Sequence, residues 1–324
     1  MPNLVTHALF CEDVMKSLND PVLNRYPMFA ITGSQGPDFL FFYHTTPTKL
    51  LLPNKISQFG HKFHEENVNA FYASALESIR REKKHPVQQE MIAYLCGHLC
   101  HWAMDSTFHP YVYYRTGNYS YSAKCAFYHH RFESLLDAAM LKYKKNTTIT
   151  DYDPGEECLS TSLPVARAIC RIYIPAIQQI YDTKIEPTAI VEALQDWKTM
   201  QKIFRDPKNL KKGFLQPIEK ALGLQHALSG FSIPNVCEDN VDICNLLHKQ
   251  WKNPASLEES NASLFDLYKE AQQKAITVIS YFLKAIKDPK SEEKMLEFIG
   301  DRNYEMGLPN GYEMKEFDII DLSI

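Results

Sequence analysis

Apolar positions along most of the chain recur every three or four residues, the period of a helix that buries one face. Leu9, Phe10, Val14, Met15 and Leu18 follow this spacing behind Thr6, a residue type suited to a helix N-cap. The same period returns over 163–180, 187–204, a short stretch at 214–222 and a long one at 256–286. It also predicts a helix from His61 and His64 to about Lys83, and another from about Pro86 to Tyr114 with proline in its first turn. Pro110 should kink or end that helix, because it lacks an N–H and disfavours helical geometry in the residue before it. Alternating strand patterns are sparse. The pattern therefore predicts an all-α protein, with a surface loop at 152–161 and an extended tail after the turn-forming Pro309-Asn310-Gly311.

Two stretches depart from simple amphipathicity. Over 86–114 the polar residues His98, His101, Asp105 and His109 are three, four and four apart, so they fall along one stripe. Their surroundings are Ile92, Ala93, Leu95, Cys96, Leu99, Trp102 and Ala103. An acid in that setting costs on the order of several kcal/mol unless it is neutralised, and a bound cation is the simplest neutraliser. His129 and Glu133, four apart, repeat the arrangement on the next predicted helix. Imidazole and carboxylate together suit zinc. The competing reading is a hydrogen-bonded core network. The second stretch, 31–45, places two glycines and a proline ahead of Asp38. This tight loop either makes Asp38 the cap of a helix starting near Phe39 or points it into a cleft.

Ten of the twelve histidines lie within the first 130 residues, which puts the chemistry in the N-terminal half. We therefore expect residues 1–150 to form a metal-binding helical core and 151–324 a helical region that completes it. A net charge of −4 gives no basic field for extended nucleic acid. The basic runs at 80–84 and 142–145 read as solvated helix ends. No secretory leader or membrane-spanning run is evident, so a cytoplasmic protein with at most peripheral membrane contact is expected. The eight cysteines contain no CxxC pair and read mostly as buried thiols. Tyr119 and Tyr121, in the polar loop at 116–124, are candidates for substrate contact.

Taken in order, the segments THALF (6–10), GPDFLFFYH (36–44), GHKFH (60–64), HWAMDSTFHPYV (101–112) and HHRFE (129–133) resemble the zinc-dependent phospholipase C family. The zinc nucleases specific for single strands are its more distant relatives. The resemblance implies an all-α, multi-helix bundle with a metal cleft between helices that holds two or three zinc ions. It implies that Asp38 ligates zinc and accepts a proton from the attacking water. His64, with His61 as the alternative, would be the next ligand, and His101 and Asp105 would complete that site. Asp105 would also be shared with a zinc held by His7, and His109, His129 and Glu133 would hold the remaining ion. The chain departs from the family pattern in two places. Secreted members use the amino group and carbonyl of a mature N-terminal tryptophan as ligands, whereas this chain begins Met1-Pro2. The step from Asp105 to His109 is four residues where those enzymes have six, so His109 could follow a different backbone path.

The resemblance implies a phospholipase C-like hydrolase that acts on a phospholipid or small phosphodiester by zinc-activated water. Clustered divalent ions suit phosphoester hydrolysis because they acidify water and clamp phosphoryl oxygens. The same ligands would serve a nucleotide phosphohydrolase or nuclease, with Tyr119 or Trp102 stacking on a base. A helical scaffold that keeps metal for stability alone is the third reading.

Overall fold

The expected helices are present in a computed structural model of the chain, which describes residues 4–208, 229–235 and 242–322. In order they are α1 (Leu4–Leu18), α2 (Pro21–Arg25), α3 (Pro27–Gly33), a 3-10 turn (Asp38–Phe42), α4 (Ser57–Glu65), α5 (Val68–Arg81), α6 (His85–Thr116) and α7 (Ala123–Lys145). After these come α8 (Pro154–Glu157), α9 (Leu163–Tyr181), α10 (Pro187–Phe204), α11 (Leu264–Ala285) and α12 (Pro289–Ile299). Among the described residues the strands are one short antiparallel pair, β1 (Trp251–Lys252) and β2 (Glu259–Ser260). The fold is all-α. The expected short helix at 214–222 lies outside the described residues.

α6 is the axis of the bundle. Its 32 residues span about 48 Å at the helical rise, and α1, α3, α5, α7, α9 and α11 all pack against it. Because neighbours surround it, it is buried on nearly every side and loses the one-sided pattern of the outer helices. α3 crosses it backbone to backbone. A Cβ on Gly97 would come within 1.9 Å of the Ala30 carbonyl, and one on Gly33 within 2.1 Å of the Tyr94 carbonyl. That close crossing delivers the turn after α3 to the histidines of α6.

Several elements differ from the sequence expectation. Pro110 does not end α6, which spans the expected 86–114 and continues to Thr116, because packing from several helices outweighs one missing hydrogen bond. The helix expected to run from His61 to Lys83 is two helices, broken where Asn67 adopts the left-handed conformation (φ 57°) that asparagine tolerates. The long helix expected from 256 starts at Leu264, where Ser263 and Asp266 form a capping box. The loop at 152–161 holds the short α8 and buries Cys158 and Leu159. The basic runs are helix ends in ion pairs, Arg81 with Glu77, Lys144 with Asp13 and Lys145 with Glu12.

Thr6 lies inside α1 and is not its cap. The first turn of α1 is capped from α7, where Asp137 accepts from Val5 N (3.2 Å), Thr6 N (2.9 Å) and the Thr6 hydroxyl (2.5 Å). This clamp fixes His7, the next residue. Asp137→Ala would leave two buried N–H groups without their acceptor, so we predict a loss of about 3 kcal/mol in urea unfolding. Unchanged stability would show that the clamp contributes nothing.

After α12 the chain returns across α6. Trp102 Nε1 donates to Arg302 O (2.8 Å), and Tyr304 N donates to His64 O at the end of α4 (2.9 Å). The tail beyond has no regular structure and runs beside the end of α6, with Asp318 N bonded to Tyr114 O (2.8 Å) and Ile320 N to Arg115 O (2.9 Å).

Candidate metal centre

Three groups of imidazole and carboxylate atoms meet inside the bundle, in each case within 4.8 Å of one another: His7, His101 and Asp105; Asp38, His64 and His101; His109, His129 and Glu133. All eight residues are buried. They arrive on five elements, with His7 on α1, Asp38 at the start of the 3-10 turn, His64 on α4, three residues on α6 and two on α7. The stripe on α6 is what connects the groups. Asp105 Oδ2 lies 3.0 Å from His101 Nε2, 3.9 Å from His64 Nε2 and 3.7 Å from His109 Nδ1, while Oδ1 is 3.1 Å from His7 Nε2. Asp38 Oδ1 closes the first set, 3.0 Å from His64 Nε2 and 3.7 Å from His101 Nε2. Glu133 Oε1 sits between His129 Nε2 (3.2 Å) and His109 Nε2 (3.3 Å).

The outer nitrogens decide how these rings are aimed. Gly60 O, Ser34 O and Tyr304 O lie 2.7, 3.1 and 2.8 Å from the Nδ1 atoms of His64, His101 and His109. A carbonyl can only accept, so each Nδ1 donates to it and each Nε2 faces inward, where it offers a lone pair once the ring is neutral. There His64 Nε2, His101 Nε2 and Asp38 Oδ1 are buried without a hydrogen bond among the described residues, although His64 and Asp38 are only 3.0 Å apart. His7 Nδ1 and both ring nitrogens of His129 lack one as well. Imidazole and carboxylate atoms gathered in three buried groups suit bound cations. The donor set therefore fits zinc.

Charge in the metal-free cluster is shared unevenly. Burial opposes ionisation of Asp105 and Glu133, but the rings of His101, His109 and His7 hold Asp105 well below the usual carboxylate range, and Glu133 is held down too, with His129 and His109 contributing. Burial also opposes protonation of His109. The Asp105 and Glu133 carboxylates outweigh it and push His109 up to about 9. His129 moves down, mainly through burial.

The structure separates residues that spacing alone left together. His98 begins the stripe but lies about 10 Å along the axis from Asp105. Both of its nitrogens are engaged by tyrosines, Nδ1 by Tyr72 (2.9 Å) and Nε2 by Tyr173 (2.8 Å). Of the two histidines on α4, His64 faces Asp38, whereas His61 is exposed beside Glu65 and Phe41. Asp38 points into the cluster. His109 reaches its group on an unbroken helix, one turn beyond Asp105, without a backbone detour.

A cleft of about 380 Å³ opens beside His64, His109 and His129, and Phe41, Phe42, Tyr113, Tyr119, Met200 and Phe204 wall it. Tyr119 lines it and donates to Glu305 (2.7 Å), as does Tyr113 (3.2 Å). Tyr121 is exposed and packs on Phe317 outside it, and Trp102 is fully buried and cannot stack on a ligand. Tyr304 and Glu305 were not found from the sequence, and no spacing signal there would have marked them.

Comparison with curated protein sequences and with solved structures gave no match in either case. The family model described as zinc dependent phospholipase C matches residues 6–172. That span contains all eight residues of the three groups, and together they support a metal-dependent phosphodiesterase-type hydrolase. The match covers just over half of the 324 residues, and the chain belongs to the zinc-dependent phospholipase C family.

Proposed function

We propose that the protein hydrolyses a glycerophospholipid in the manner of a phospholipase C, releasing diacylglycerol and a phosphorylated head group. The observation that carries this reading is the opening of the donor groups onto the end of an apolar, aromatic-walled cleft. Asp38, His64, His101 and Asp105 would hold one zinc, and His109, His129 and Glu133 a second. His7 and Asp105 would contribute to a third. Bound zinc supplies Lewis-acid polarisation of the phosphoryl oxygens and acidifies water. Asp38, buried at the edge of its group, is the base we assign to take the proton from the attacking water. The aromatic walls exclude bulk water and hold the lipid's apolar portion. Among the described residues lining the cleft there is no lysine or arginine, which suits a lipid better than a polynucleotide.

Elemental analysis of chelator-free protein is expected to find two or three zinc ions per chain, about the number the three groups can hold. Phosphatidylcholine should be cleaved faster than a chromogenic phosphodiester, and single-stranded DNA hardly at all. DNA as the best substrate would replace this reading with a nuclease. Metal without any hydrolysis would favour the structural scaffold.

Zinc binding should also release protons. With His109 at about 9 in the metal-free protein, its ring is protonated at neutral pH and must lose that proton to ligate. Affinity at that group should rise with pH, by up to about tenfold per unit, until roughly pH 9. Below the ordinary histidine range the metal-free protein keeps the full stabilisation of the His109 ion pairs, and it loses that stabilisation as pH rises through 9. Calorimetric titrations with zinc at pH 7 in buffers of different ionisation enthalpy would measure the release, and identical heats would contradict it.

A further inference from the structure

The loop between the 3-10 turn and α4 carries three consecutive leucines outward. Leu50 is 64% exposed, Leu51 fully exposed at 100% and Leu52 49%. Single exposed apolar side chains are ordinary, but a run of three at a protruding tip marks a contact site.

The loop is folded and held by internal hydrogen bonds. Thr46 O accepts from Lys49 N (2.8 Å), Lys49 O accepts from Leu52 N (2.8 Å), and the His44 ring closes the base on Pro53 O (2.9 Å). Asp196 of α10 anchors it, accepting from His44 N (2.9 Å) and from the Lys49 ammonium (2.9 Å). The leucine tip is thus carried by a loop fixed at its base and on its inner side. Leu50 also belongs to the cleft wall beside Phe41, Phe42 and Thr45, so an apolar path runs from the tip toward the metal-ligand groups.

The geometry points to this loop as a docking element that inserts Leu51 and Leu52 into a phospholipid bilayer and seats the cleft mouth on the membrane surface. The role given to the cleft rests on the lipid-substrate reading, whereas the docking itself does not. Leu51 and Leu52 are exposed next to Leu50 of the apolar cleft, so the apolar surface is continuous from the loop to the cleft mouth, as a lipid layer would require. Of the loop's two lysines, Lys49 is engaged by Asp196 and Glu192, and Lys55 is exposed on the α4 side of the leucines. With one exposed lysine against three exposed leucines, apolar burial is expected to carry the attachment, which then needs neither anionic lipid nor low salt.

The test is flotation of the full chain with phosphatidylcholine vesicles at low and high salt, beside Leu51→Glu/Leu52→Glu. Leu50 is left intact because it lines the cleft. The wild type should float at both salt concentrations, and the double variant should partition about tenfold less or weaker still. Hydrolysis of a monomeric short-chain phosphatidylcholine should be equal in the two proteins. A Leu51→Trp variant should show blue-shifted emission when vesicles are added. Equal flotation of wild type and double variant, no flotation of either, or unshifted tryptophan emission would overturn the proposal. So would a wild-type dimer that the two glutamates convert to a monomer, because the leucines would then cover a second copy. Leucine-dependent flotation without lipid hydrolysis would uphold docking and remove the lipase reading. Hydrolysis of vesicle lipid without leucine-dependent flotation would do the reverse.

Discussion

Asp105→Asn is expected to remove one to two zinc ions per chain and to lower phosphodiester hydrolysis by about a thousandfold or more. No other side chain in the cluster has so many partners. Its two oxygens lie between 3.0 and 3.9 Å from nitrogens of His7, His64, His101 and His109. Asparagine keeps the shape and one oxygen but loses the charge that offsets buried cations. A second readout needs no metal. Asp105 is the foremost group holding His109 up to about 9, so the substitution should bring the His109 titration in the metal-free protein down toward the ordinary histidine range, as followed by NMR. Full zinc content together with full activity would show that Asp105 is not a metal ligand.

Gly36→Ala is expected to cripple the same site from outside it. Gly36 has φ +55°, where an L side chain is strained, and a Cβ there would lie 2.1 Å from His101 Cδ2 and 2.5 Å from His101 Nε2. One of two things must then give way. Either the ring swings and takes Nε2 away from Asp38 and Asp105, or the turn retreats and breaks the contact of His101 Nδ1 with Ser34 O (3.1 Å). Either way zinc affinity should fall by about 10- to 100-fold, the range for loss of the groups that orient a ligand. Activity should fall at least as far, with only about 2 kcal/mol lost in stability. Gly311→Ala is the control, since Gly311 also has positive φ (+103°) but nothing within 4 Å of a Cβ. It should lose a little stability and no activity. A Gly36→Ala protein with wild-type zinc affinity would mean that the turn does not position His101.

What the sequence determined by itself was local. The 3.6-residue period marked α1, α9, α10 and most of α6, because each buries a face that repeats along its own axis. The steps of four residues from His101 to Asp105 to His109, and from His129 to Glu133, were legible for the same reason, since neighbours on a helix surface are fixed by the rise and turn of that helix. Spacing carries no record of how one helix sits against another. The tertiary structure decided that His64 and not His61 meets Asp38, because both rings pack on Phe41 of the 3-10 turn but only His64 is buried on the Asp38 side, while His61 lies out toward solvent. It retired His98 into a tyrosine network and carried α6 through Pro110. It also brought Tyr304 and Glu305, nearly two hundred residues beyond the stripe, onto His109 and the cleft wall. Those outcomes depend on burial between elements distant in sequence, where the dry interior makes every lone pair and carbonyl find a partner that no local pattern names.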